Sequence, residues 1–159
     1  DELSSINTVA RKGNGRIRFR RITFLDADTD ESITSLRVGQ DVRIRLQYDV
    51  IDPTAIGTEL KVGIGFIDSM GQFKFAVNNE AVGYRLWVSP TGRTETVIPK
   101  FPLSQGSYRC YVYSEVAGEA ADWIPDGVRI DVIPGDYYGH GKVPAEQLHG
   151  FYVLYEWIH

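Results

Sequence analysis

Val42, Ile44, Leu46, Tyr48 and Val50 alternate with Asp41, Arg43, Arg45, Gln47 and Asp49. A period of two over ten residues places every apolar side chain on one face of an extended chain, so the segment is a strand with one buried side and not a helix. The pattern recurs at Leu60, Val62, Ile64 and Phe66, at Phe73, Phe75 and Val77, at Tyr108, Cys110 and Val112, and at Val128, Ile130 and Val132. In the first strand the parity changes, with Ile17 and Phe19 odd but Ile22 and Phe24 even, which predicts a bulge near Arg20-Arg21. Turn residues punctuate these runs at 26–30, Asp52-Pro53, 68–71, 90–92, 104–106, Pro125-Asp126-Gly127 and Pro134-Gly135. No window carries a convincing amphipathic helix. Short alternating strands without helical crossovers predict an all-β fold, an antiparallel sandwich of immunoglobulin-like, Greek-key type.

Length and composition then narrow the class. A chain of 159 residues buries roughly two-thirds of its unfolded surface, enough for one self-supporting core. Residues 1–15 hold few apolar side chains and end in Lys12-Gly13-Asn14-Gly15, so they read as a linker, and the sandwich is expected over 16–159. No run approaches the roughly 18 apolar residues of a membrane helix. The net charge of -4 gives no basic field for phosphate backbones, and nucleic acid is not an expected partner. A lone Cys110 forms no intrachain disulfide, and no Asn-x-Ser/Thr sequon occurs, which favours a reducing, cytoplasmic setting. The chain starts at Asp1 with neither Met nor leader, and the expectation is a piece excised from a longer protein.

Chemical motifs are sparse. There is no Gly-x4-Gly-Lys-Ser/Thr, and Gly13-Asn14-Gly15 lacks a third glycine and precedes a strand, so no phosphate cradle forms. His140, His149 and His159 have neither zinc-helix spacing nor cysteine partners. Asp26-Ala-Asp28-Thr-Asp30-Glu31 opens like a calcium loop but has Glu31 where glycine is required and Arg37 where the bidentate Glu belongs, and an acidic turn is the better reading. Glu115, Glu119, Asp122 and Asp131 could pair as glycosidase carboxylates, although spacing alone selects none of them. No catalytic residue, metal or cofactor is therefore assigned. Leu103-Ser-Gln-Gly106-Ser-Tyr108 fits a tyrosine corner, with Tyr108 folding its hydroxyl back onto the preceding connection. Cys110, of the same parity, is expected as a small buried hydrophobe.

The positive signal is aromatic. If Tyr108, Cys110 and Val112 face the core, then Arg109, Tyr111 and Tyr113 stand together on the outer face. In the usual sandwich topology their neighbour is the Leu60–Phe66 strand, whose outward residues are Lys61, Gly63 and Gly65. Tyrosines beside glycines leave a shallow trough, which suits a sugar: its C–H face packs on an aromatic ring while charged groups bond its hydroxyls. Arg129 and Asp131, of outward parity on the Val128–Val132 strand, join this candidate site, with Trp87 and Tyr152 as further aromatic candidates. The same arrangement equally serves to shield backbone or to meet another subunit. Any binding built on hydroxyl contacts is expected to be weak, on the order of micromolar or poorer.

Leu103-x-x-Gly106-x-Tyr108, Asp122-Trp-Ile-Pro-Asp126 leading into Val128–Val132, Asp136-Tyr-Tyr-Gly-His-Gly141 and Gly150-Phe-Tyr-Val153 closing on Trp157 together resemble the C-terminal domain of Wzt-type proteins. These are ATPase subunits of ABC transporters that export lipopolysaccharide O-antigen. Gly15-Arg-Ile17 through Asp26, Val38-Gly39, and Gly63-Ile-Gly65-Phe-Ile-Asp68-x-x-Gly71 are similar too, so the resemblance runs from about residue 13 to 157. It implies a non-catalytic module that recognises O-antigen polysaccharide in the cytoplasm, at the inner face of the inner membrane. It also implies an ATPase domain before residue 1 and a membrane permease as partners. The competing reading is an immunoglobulin-like protein-interaction domain that binds no sugar. Phe151, Val153, Tyr155 and Trp157 read as a last strand with an apolar inward side and Tyr152 outward, and the resemblance implies a homodimer through exchange of that strand.

Overall fold

The computed structural model describes residues 11–143 and 150–158. Nine strands follow in chain order: β1 (Ile17–Asp26), β2 (Ser35–Arg37), β3 (Val42–Val50), β4 (Glu59–Asp68), β5 (Phe73–Asn78), β6 (Leu86–Trp87), β7 (Arg93–Ile98), β8 (Gly106–Val116) and β9 (Glu119–Ile133). The only helix among the described residues is a 3-10 turn at Pro53–Ala55, capped by the Asp52 side chain. One sheet has the order β1-β3-β7, and the other β2-β9-β8-β4-β5, with β6 also pairing β4. The chain crosses between sheets five times, from β1 to β2, β2 to β3, β3 to β4, β6 to β7 and β7 to β8, the connectivity of a Greek-key sandwich. Every pairing between named strands is antiparallel except β2 with β9.

The alternation read from sequence is what closes this core. Val42, Ile44, Leu46 and Tyr48 of one sheet face Leu60, Val62, Ile64, Phe66, Cys110 and Val112 of the other, all buried. Phe66 lies 5.0 Å from Phe75 and 5.4 Å from Phe101, an aromatic knot between the sheets. The parity change in β1 is a bulge between Phe19 and Arg21, which lets both Phe19 and Ile22 reach the core. Tyr108 Oη donates to the Ser104 carbonyl at 2.7 Å, the tyrosine corner expected from the Gly106 turn.

Four features depart from the sequence reading. Pro125-Asp126-Gly127 does not end a strand: β9 runs through it, and the extra residues bulge out between the pairs Val112–Ile124 and Cys110–Val128. A second bulge, at Lys74, pairs Phe66 with Phe75 but Ile67 with Phe73. Phe73 therefore leaves the core face and stands exposed on the outer one. The final run makes a single bridge, Phe151 to Leu103, and forms no strand. There the parity is inverted: Tyr152 is buried, its ring stacked 5.2 Å from Tyr137, whereas Val153, Tyr155 and Trp157 are exposed. Tyr152 packs its ring against both Tyr137 and Tyr138, and burial of that ring sets which residues of the run face inward. Finally, Arg11–Gly15, read as linker, is hydrogen-bonded along β9. His149 and His159 lie outside the described residues.

Candidate functional site

The outer face of the six-stranded sheet is built by register. Lys61 pairs with Glu115, Gly63 with Tyr113, Gly65 with Tyr111 and Ile67 with Arg109 across β4 and β8. Across β8 and β9, Tyr113 pairs with Trp123 and Arg109 with Arg129, and Ser107 pairs with Asp131. Outward parity on three adjacent strands thus collects Lys61, Arg109, Tyr111, Tyr113, Arg129 and Asp131 on one surface, as the sequence predicted.

Within it, Ile67, Tyr111, Tyr113, Trp123 and Pro125 line a depression of about 320 Å³. The trough expected over the glycines is elsewhere: the Tyr111 ring lies flat across Gly65, where an added Cβ would sit 2.0 Å from the ring. Glycine here lets the ring pack on backbone. Phe73 stacks on the far side of Tyr111 at 6.1 Å, and Trp123 meets Tyr113 edge-on at 6.0 Å. The result is two ring pairs, Phe73–Tyr111 and Tyr113–Trp123, on the same face.

Charged groups flank these pairs. Tyr113 Oη donates to Glu115 Oε2 at 2.7 Å, and this bond, together with partial burial, pushes the phenol up to about 12. Glu115 Oε2 lies 3.9 Å from Lys61 Nζ, itself 3.8 Å from Glu80. Arg109 pairs with Asp126 of the β9 bulge at 2.7 Å, and Arg129 donates to Ser107 Oγ at 2.9 Å. Asp131 is exposed between Ser107 and Ser35. Beyond Lys61 the face continues into a second depression of about 440 Å³ with Glu59, Glu80, Tyr84 and Arg85 on its walls. Half-exposed Trp87 pairs with Glu59 at that end, with the Arg85 guanidinium 4.8 Å above its ring. It stands apart from the two ring pairs. Tyr152 does not reach this face at all, because it is buried against Tyr137.

Phe73, Trp123 and Ile67 are the members that sequence reasoning missed. Ile67 and Trp123 were legible, since Ile67 extends the parity of Lys61, Gly63 and Gly65 and Trp123 precedes a core-facing Ile124 by one residue. Phe73 was not, because its outward turn depends on the Lys74 bulge. A separate cavity of about 430 Å³ opens between the edges of β5 and β7 over Ile44, Leu46, Val62 and Ile64. Asn78, Asn79, Tyr84, Thr94, Glu95 and Thr96 also line it, and none of the sequence-predicted site residues does. Asp122, one of the possible acid pairs, is buried in an ion pair with Arg11. Asp26 spends Oδ1 on the N–H groups of Asp28 and Thr29, as an acidic turn would. Among the described residues no group of three or more His, Cys, Asp or Glu is placed to hold a metal ion.

The family model of the Wzt C-terminal domain matches residues 8–151. The chain belongs to the Wzt C-terminal domain family. A crystal structure of the C-terminal domain of Wzt superposes with a TM-score of 0.66 at 17% identity, covering 87% of this chain and 93% of that one. The soluble domain of PmoD from Methylocystis sp. aligns at a TM-score of 0.42 and 12% identity, over 77% of this chain and 94% of that one. A CARDB domain from Pyrococcus furiosus, solved with di-metal ions, aligns at 0.39 and 12%, over 84% and 97%. No curated protein matches in sequence. The Wzt structure shares the sandwich, and family membership places this domain in the context of a Wzt-type transporter. No helix of the described residues is long and apolar enough to cross a membrane.

Proposed function

We propose that this Wzt C-terminal domain binds O-antigen polysaccharide on the outer face of its six-stranded sheet. In this reading it is a non-catalytic module that works in the cytoplasm at the inner membrane, beside the ATPase domain and permease of its transporter. The observation that carries the reading is the depression lined by Tyr111, Tyr113 and Trp123, with Phe73 stacked on Tyr111 and with Arg109–Asp126 and Glu115–Lys61 flanking it. Sugar rings present an apolar C–H face and a rim of hydroxyls, and such a surface offers partners for both. The site is open and shallow, so each contact exchanges a water bond for a protein bond, and affinity is set in the micromolar range or weaker.

The test is calorimetric titration with a panel of O-polysaccharides released from lipopolysaccharide by mild acid. One or more should bind wild type, and the double variant Tyr111→Ala, Tyr113→Ala should lose that binding while melting cooperatively. A folded double variant with unchanged affinity would move the site off this face, and failure of every glycan would favour a protein-interaction domain.

A second copy is part of the same reading. Val153, Leu154, Tyr155, Trp157 and Ile158 are between 64% and 89% exposed, an apolar run that solvent does not favour. Pairing this run with a second chain covers it, and the assembly is a homodimer. Light scattering at tens of micromolar is the direct measurement, and a clean monomer would refute the dimer.

A further inference from the structure

The segment before β1 is fastened to β9 at the residue that also lines the candidate site. Lys12 and Trp123 exchange both backbone hydrogen bonds, at 3.0 and 2.9 Å, and Asn14 and Gly15 donate to the carbonyls of Ala120 and Ala121 at 2.9 and 2.8 Å. Arg11 and Asp122, each only 3% exposed at the side chain, join through two bonds of 3.2 and 2.5 Å. The same Asp122 carboxylate accepts the Phe19 N–H at 2.8 Å, and Arg11 donates to the Phe19 carbonyl at 3.0 Å, so the pair also bridges to the β1 bulge. Gly13, at φ +111°, lets the two backbones touch: a Cβ there would lie 2.4 Å from the Ala121 carbonyl oxygen. The Lys12 ammonium sits 5.2 Å from the centre of the Trp123 ring, and that ring is a wall of the depression and the edge-on neighbour of Tyr113.

A free tether has no need of a buried ion pair or a fitted glycine. With Arg11 withdrawn, the buried Asp122 side chain loses its ion-pair partner, so release of the arm is disfavoured and the docked form is the resting one. Trp123 reports docking, because its backbone bonds and its ring cover exist only in the docked form.

We propose that Arg11–Gly15 is a docking arm coupled to the glycan face: a sugar seated against Trp123 binds the docked state more tightly, and docking of the arm raises the affinity for that sugar. The inference rests on the glycan reading of the face. Its physical content is linkage, in which a ligand favouring one of two states shifts the population toward it and the two effects are equal in size. Chain on the N-terminal side of Arg11 thereby feels whether the face is occupied.

Hydrogen exchange on the intact domain, with and without the panel polysaccharide that binds it, reads the coupling. The amides of Lys12, Asn14 and Gly15 should gain protection on binding by more than the domain average. Gly13→Ala, which takes the backbone pairs and ring cover from Trp123 while leaving Ile67, Tyr111, Tyr113 and Pro125 in place, should weaken binding by about fivefold or more. Lys12→Ala keeps the backbone pairs and removes the ring cover, and it should weaken binding to a smaller extent even if Gly13→Ala proves unfoldable. Binding by wild type with unchanged arm protection would overturn the proposal, as would full affinity in a Gly13→Ala variant whose arm amides exchange freely. If no polysaccharide binds wild type, the face itself has been misread and the coupling falls with it.

Discussion

Tyr108 and Tyr113 lie on one strand with opposite parity, and their hydroxyls do different work. Tyr108 is buried and donates to the Ser104 carbonyl, so Tyr108→Phe leaves an acceptor half satisfied and should cost about 1 kcal/mol. Chemical denaturation checks this, and equal midpoints would mean that the corner is dispensable. Tyr113 donates to Glu115, which raises its phenol from the usual 10 to about 12. The sign follows from the raised value: the stabilisation is complete below pH 10 and is lost as pH rises toward 12. Ultraviolet titration should show the Tyr113 phenolate forming near 12, and Glu115→Gln should bring it back toward 10. Cys110, on the inner face, is a free, buried thiol pushed up by burial alone.

Irregularities in two strands shape the aromatic face. The Lys74 bulge in β5 turns Phe73 outward, and the Pro125–Gly127 bulge in β9 carries Asp126 to Arg109. Without them β5 and β9 would be ordinary strands with a thinner aromatic face. The glycines of β4 serve the same face. Gly65→Ala places a methyl where the Tyr111 ring now lies, so it should displace the ring and reduce glycan affinity severalfold with little loss of stability, a result that titration beside a melting curve distinguishes from unfolding. Where β9 meets the arm, Asp122→Ala should cost about 3 kcal/mol or more, because Arg11 would stay buried without its partner. Thermal melting tests it, and a loss below 1 kcal/mol would mean that Arg11 escapes to water.

At the scale of the molecule, the two sheets bury a continuous core, and residues 150–158 pack on it only in part. The C-terminal run contributes Tyr152 to the Tyr137–Tyr138 cluster and sets Phe151 6.0 Å from Phe75, then continues with exposed apolar residues. Deleting residues 150–159 should therefore lower the melting temperature by several degrees and, if the exposed run pairs two chains, convert dimer to monomer in light scattering. The sequence by itself determined the all-β class, the strands from Val42, Leu60, Phe73 and Tyr108, the β1 bulge, the tyrosine corner, and the side of the sheet on which Arg109, Tyr111 and Tyr113 stand. Each of these follows from an alternation of period two, a property that a strand possesses before it meets any partner. Only the tertiary structure decided where Phe73 and Tyr152 point, that Pro125–Gly127 bulges instead of turning, and that Arg11 is buried. Those outcomes depend on register between strands distant in sequence and on which cavity accepts a given ring or charge, and neither is written in the local pattern.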